Sequence, residues 1–178
     1  MRATLSDANL IAMVRGVREL HRLALDGKDD DSPEAEAIRD ATDAPWESLS
    51  EAERQLVREL WEDLFSLSES AREPRPMTAD VTVALDAAAE ARKRGDWYQA
   101  LMLLRRCAGH LAPAQLSYLR GLIWRGSGDA ETAAIFFEHA AKLEPDNDAY
   151  VAATRRDSTA QGATLGICAN ENVSPERA

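Results

Sequence analysis

The chain is poor in aromatic residues, lysine and cysteine, and each shortage narrows what it can be. Phe, Trp and Tyr make up 6% of its 178 residues, so large rings cannot fill a thick core. Alanine does much of the filling, which implies closely packed helices and thin cores. Valine, isoleucine and threonine never alternate over a strand-length stretch bounded by turns, which argues against a sheet. Two cysteines, Cys107 and Cys168, are too few for a disulfide framework. No uninterrupted apolar run approaches the ~18 residues of a membrane span. Residues 1–20 follow an amphipathic pattern and lack the charge-free apolar run and cleavage site of a signal peptide. A soluble cytoplasmic protein is the expectation. Lysine appears 3 times against 18 arginines, a skew that fits a GC-rich genome as easily as a function.

Chemistry-bearing motifs are also scarce. His21, His110 and His139 have no His or Cys partner at metal-ligand spacing. Asp29-Asp30-Asp31 lacks the alternating ligands, central glycine and terminal glutamate of a calcium loop. No glycine-rich phosphate loop is present: Gly126-Ser127-Gly128-Asp129 lies between helices and lacks the Gly-Lys-Ser/Thr ending. No carboxylate pair is marked as general acid and base. Cys107 falls on an apolar helix face and reads as core. The expectation is a protein with no cofactor and no catalytic site. Its formal charge of −10 argues against nucleic acid and anionic membranes as partners. The charge is uneven, with 10 basic against 18 acidic side chains in residues 1–76.

What is present is helical periodicity. Residues 5–25 place Leu10, Val14 and Val17 on one stripe, with Ser6 or Asp7 as cap and Gly27 as stop. Ser32-Pro33 opens a second, weakly apolar helix, which Pro45 is expected to break; Trp46 and Leu49 follow as anchors. Ser50-Glu51-Ala52-Glu53 is a capping box. It opens a helix over about 51–69 carrying Leu56, Val57, Leu60, Leu64 and Leu67, with Trp61 and Phe65 adjoining. Arg72-Glu73-Pro74-Arg75-Pro76 reads as a linker. The organisation is therefore an acidic helical segment (1–70), a Pro-rich linker (71–77), a second helical domain (78–157) and a pattern-free, disordered tail (158–178).

Within 78–157, Gly95-Asp96 and Gly128-Asp129 recur 33 residues apart, each between two helix-like stretches. The helices fall at about 79–94, 97–110, 114–126 and 130–143, followed by a short closing helix at 147–157. Glycine supplies the φ > 0 residue that stops one helix, and aspartate caps the next. A fixed period of this length marks a repeat architecture.

These residues resemble the tetratricopeptide repeat. Gly121, Trp124, Ala133, Phe137 and Pro145 fall on the pattern's glycine, tyrosine, alanine, phenylalanine and proline. Ser117 and Arg120 stand where a tryptophan and a leucine are usual. The first unit matches in residue size through Ala84, Ala87, Ala88, Ala91, Ala100 and Leu104. The resemblance implies an all-α fold: antiparallel helix pairs in a short right-handed stack. Two units cannot bury their faces alone, so the additional helices of 1–76 must form a third layer, or the chain must self-associate. Helices 5–25 and 51–69 are expected to pack against the first unit.

By the same resemblance the first helix of each unit lines a groove. That groove is formed by Thr82, Leu85, Ala89, Arg92 and Lys93, then Gln115, Tyr118, Leu122 and Arg125, then Ala149, Ala152 and Arg156. Its cations suit a peptide with acidic groups or a C-terminal carboxylate. Alternatively Arg92, Lys93 and Arg125 simply answer helix dipoles in last turns. The function implied is protein–protein interaction, as an adaptor or assembly factor. The alternative is a small acidic regulator or inhibitor whose N-terminal region binds a basic partner, and an enzyme of unrecognised type ranks third.

Overall fold

The computed structural model describes residues 7–68 and 73–155; Arg156, Cys168 and the expected tail lie outside them. Every regular element among the described residues is helical. The helices are α1 (Ala8–Leu25), α2 (Pro33–Ser48), α3 (Glu51–Phe65), α4 (Ala79–Lys93), α5 (Trp97–Cys107), α6 (Pro113–Ser127) and α7 (Ala130–Leu143), with residues 148–155 also helical and labelled α8. Single 3-10 turns at Ser66–Ser68 and Ala108–His110 extend α3 and α5. No described helix is long and apolar enough to cross a membrane.

Local chemistry sets most boundaries. Asp7, Ser32, Thr78, Asp96 and Asp129 each accept a backbone N–H of the helix they open. Ser50 and Glu53 form the full reciprocal capping box. Gly27, Gly95 and Gly128 take φ of 72°, 74° and 97°, where a side chain would be strained.

Pro45 does not break α2, contrary to expectation; the helix continues to Ser48. The proline removes the N–H that the Ala41 carbonyl would accept. Ala41 is exposed, so water can satisfy that carbonyl, and Ser48 Oγ donates to the Ala44 carbonyl one turn on. Leu49, just past the helix, is buried as anticipated, while Trp46 is only partly buried beneath the guanidiniums of Arg54 and Arg58.

Helices pack mostly as sequence neighbours, α1 on α2, α4 on α5, α5 on α6 and α6 on α7, with α1 also on α3. One buried cluster nevertheless runs through the molecule, from Leu10, Val14 and Val17 through Leu56, Leu60 and Leu64 to Leu104, Trp124, Phe136 and Phe137. Arg75 and Pro76, ahead of α4, are fastened to the α5–α6 corner: Arg75 N–H donates to the Gly109 carbonyl at 2.9 Å, and His110 Nδ1 lies 2.7 Å from the Pro76 carbonyl. The expected alanine signature of α4 divides, with Ala88 and Ala91 buried, Ala84 partly buried and Ala87 facing solvent.

The α6–α7 pair closes around Gly121. A Cβ on that residue would lie 2.5 Å from Phe137 Cε1, a distance no carbon pair tolerates. Phe137 is fully buried and cannot swing away without opening the core. Gly121→Ala is expected to cost about 1–3 kcal/mol, measured by chemical unfolding. Phe137→Leu in the same chain should recover part of that loss.

Candidate functional site

Buried charge fastens the N-terminal helices to the rest. Arg18 is 9% exposed. Its Nη1 donates to both Asp129 carboxylate oxygens at 2.7 Å and to Thr132 Oγ1 at 3.2 Å, and its Nη2 to Glu131 at 2.6 Å. Asp129 also caps α7 through Thr132 N–H and accepts the Thr132 hydroxyl. The aspartate that starts α7 is thus the anchor for α1. This ties α1 to the start of the second helix pair.

A second network joins α3 to α5 and α6. Asp63 Oδ1 accepts from Arg105 Nη2 at 2.7 Å and Arg120 Nη2 at 2.6 Å. Arg105 also donates to the Glu59 carbonyl and bonds Glu62. Burial pushes the Asp63 carboxyl above its ordinary range, opposed by the two guanidiniums, and pulls Arg120 below its own. Ser117 Oγ sits 2.8 Å from His139 Nδ1. Ser117 and Arg120, the two departures from the repeat pattern, are therefore both buried polar residues with side-chain partners.

Beside the Arg18 anchor, α1 and α7 leave a groove of about 1090 Å³ between them. Its α1 wall carries Ile11, Arg15, Arg22 and Leu25; its α7 wall carries Glu131, Ala134, Ile135 and Glu138. Ile11 and Leu25 are 46% and 65% exposed. Arg15 is paired with Glu19 at 2.8 Å, whereas Arg22 and Glu138, both exposed, form no ion pair with another described residue. A smaller cleft of about 410 Å³ opens between α1, α2 and α3, walled by Met13, Val17, Leu20, Val57 and Trp61. Gly16 lets α2 approach there, since a Cβ would meet Thr42 Cγ2 at 2.6 Å. Trp61 and Phe65, expected as core or partner face, stack on one another at 4.3 Å and are partly buried.

The residues expected to line a partner groove are not equivalent in the fold. Arg92 and Lys93 are exposed in the last turn of α4, and Lys93 bonds Glu90 at 2.7 Å. Tyr118, Leu122 and Arg125 follow one row of α6. Tyr118 packs on Tyr150 of α8 and on Phe137, with ring centroids 4.8 and 5.7 Å apart. Leu122 is partly buried against the core. The Arg125 guanidinium lies 4.9 Å over the Phe137 ring. α8 thus shares the α6 surface on which a peptide was expected. The α1–α7 groove was missed, because its two walls lie more than 100 residues apart in sequence and no spacing pattern joins them.

Cys107 is fully buried, and burial raises its thiol pKa, which disfavours a thiolate. No group of His, Cys, Asp and Glu that could hold a metal occurs among the described residues. Comparison with family models, curated proteins and solved structures returns no match to this chain.

His21 is 4% exposed and edge-on to Phe65 at 5.6 Å; burial lowers its pKa, as it does for His139. Each ring is held neutral in the folded state and gains a proton more readily when unfolded. Stability is therefore expected to be full above the unfolded histidine pKa of about 6.5 and to fall as pH drops through and below it. Unfolding between pH 7.5 and 5 reads this, and His21→Phe should flatten the slope. Asp63→Ala, which strands the buried Arg120 guanidinium while Arg105 keeps Glu62, is expected to cost about 3–5 kcal/mol. In the same denaturation assay, Asp63→Leu with Arg120→Met should cost far less.

Proposed function

We propose that this protein is a non-catalytic interaction module, an adaptor or assembly factor that holds another protein or peptide on its helical surface. The observation that carries the reading is the open α1–α7 groove, where Ile11 and Leu25 stay solvent-exposed in a lining they share with Ala134 and Ile135. Solvent-exposed aliphatic side chains along a groove suit the apolar face of a partner. The resemblance to tetratricopeptide repeats supports the same reading, because stacked helix pairs present extended binding surfaces. A cytoplasmic setting belongs to the proposal.

A second reading has its own observation. α2 buries only Ala35 and exposes Glu34, Glu36, Asp40, Asp43 and Glu47, a face suited to a basic partner. The two readings respond differently to salt, because exposed charge is screened within about 10 Å at 0.1 M.

The test uses the natural partner, captured on the full chain from native cells and then purified. Ala134→Trp, which fills the groove, is expected to weaken binding about tenfold or more, read by calorimetry. Arg92→Ala with Arg125→Ala should leave it unchanged. The reverse pattern moves the site to the α4–α6 surface. Loss confined to neutralised α2 carboxylates, or to raised salt, favours the acidic reading.

A further inference from the structure

We infer that the α1–α7 groove receives an amphipathic helix from a partner protein, one with acidic residues on one flank and basic residues on the other. The inference rests on the interaction reading above and specifies its partner.

The shape argues for a helix. The groove runs between two helices and has an aliphatic lining from Ile11, Leu25, Ala134 and Ile135. Ile11 and Leu25 are 14 residues apart on α1, a span of about 21 Å at 1.5 Å per residue. The α7 wall, from Glu131 to Glu138, spans about half of that, so the two walls face one another over about two helical turns. A helix laid there would place its apolar stripe between the two walls, as helices do in grooves of this kind.

The charges argue for its flanks. The α1 wall is cationic, through Arg15 and Arg22, and the α7 wall is anionic, through Glu131 and Glu138. Arg15 and Glu131 are already engaged, with Glu19 and Arg18. Arg22 and Glu138 have no ion-pair partner among the described residues, so each wall offers one uncommitted charge. A helix acidic on both flanks meets repulsion at Glu138, and one basic on both meets it at Arg22. Only a flank of each sign satisfies both walls. Exchanging the two flanks changes nothing, since the helix can lie in the opposite direction. A second copy of this chain fits less well, because two concave faces cannot fill one another.

The test uses the full chain and three synthetic helical peptides of about 15 residues sharing one leucine stripe. Their flanks are Glu and Lys, Glu and Glu, or Lys and Lys. Fluorescence anisotropy should show the mixed peptide binding most tightly, about fivefold or more over either uniform one at low salt. Glu138→Lys leaves an uncommitted cation on each wall and should shift the preference to the Glu/Glu peptide; Arg22→Glu leaves an uncommitted anion on each and should shift it to the Lys/Lys peptide. Both positions are exposed, and circular dichroism checks that the fold is kept. Ala134→Trp should abolish binding of all three. Three outcomes overturn the inference: no binding by any peptide, a preference that ignores both charge reversals, or a chain that sediments as a dimer dissociated by Ala134→Trp. If the natural partner is lost on Ala134→Trp while the peptides fail, the interaction reading stands and the helical partner does not.

Discussion

Arg18 is buried between two helices, and its charge must be answered there. The answer comes from Asp129 and Glu131 at the start of α7, 111 and 113 residues away in sequence. A buried guanidinium without a partner costs several kcal/mol, so α1 has one register on α7 in which that cost is met. Asp129 is itself held by the cap it makes to Thr132 and by the Thr132 hydroxyl. The turn that starts α7 and the contact that docks α1 are thus one device. Asp63 serves in the same way between Arg105 and Arg120, placing α3 across α5 and α6.

Such networks add specificity more than net stability, because desolvation offsets much of the Coulombic gain. The apolar cluster supplies the driving force: Leu10, Leu56, Leu60, Leu64, Trp124, Phe136 and Phe137 are at most 1% exposed, and all belong to one core. Apolar contact is non-directional and would tolerate several arrangements of alanine-rich helices. The charge anchors select one. The α1–α7 groove is a consequence: Arg18 draws the two helices together at their anchor, and the flanking Ile11, Leu25, Ala134 and Ile135 remain in an open cleft.

Much of the fold was legible in the residues because its signals are local. Ser50 with Glu53, Thr78, Asp96 and Asp129 start helices through bonds spanning three residues, and Gly95 and Gly128 take the positive φ expected of them. Pro45 misled because its effect depends on whether water can reach the freed carbonyl, which is a matter of exposure. Of the candidate site, the resemblance to the repeat places Tyr118 and Arg125 on a groove. Tyr118 packs against Tyr150, and Arg125 lies over Phe137. Neither contact has a signature in spacing, since each joins different helices.

The residues by themselves determined the all-helical class and the caps and stops, and left open whether the helices of residues 1–76 form a further layer or the chain self-associates. Periodicity and capping act within a turn or two of chain, so they are written where they act. Only the tertiary structure decided where that layer lies, which polar departures from the repeat pattern are its partners, and which aliphatics stay in solvent. Ser117 and Arg120 look like lapses in a pattern until His139 and Asp63 stand opposite them. Those partners lie 22 and 57 residues away, and only the packing of the core brings them within hydrogen-bond reach.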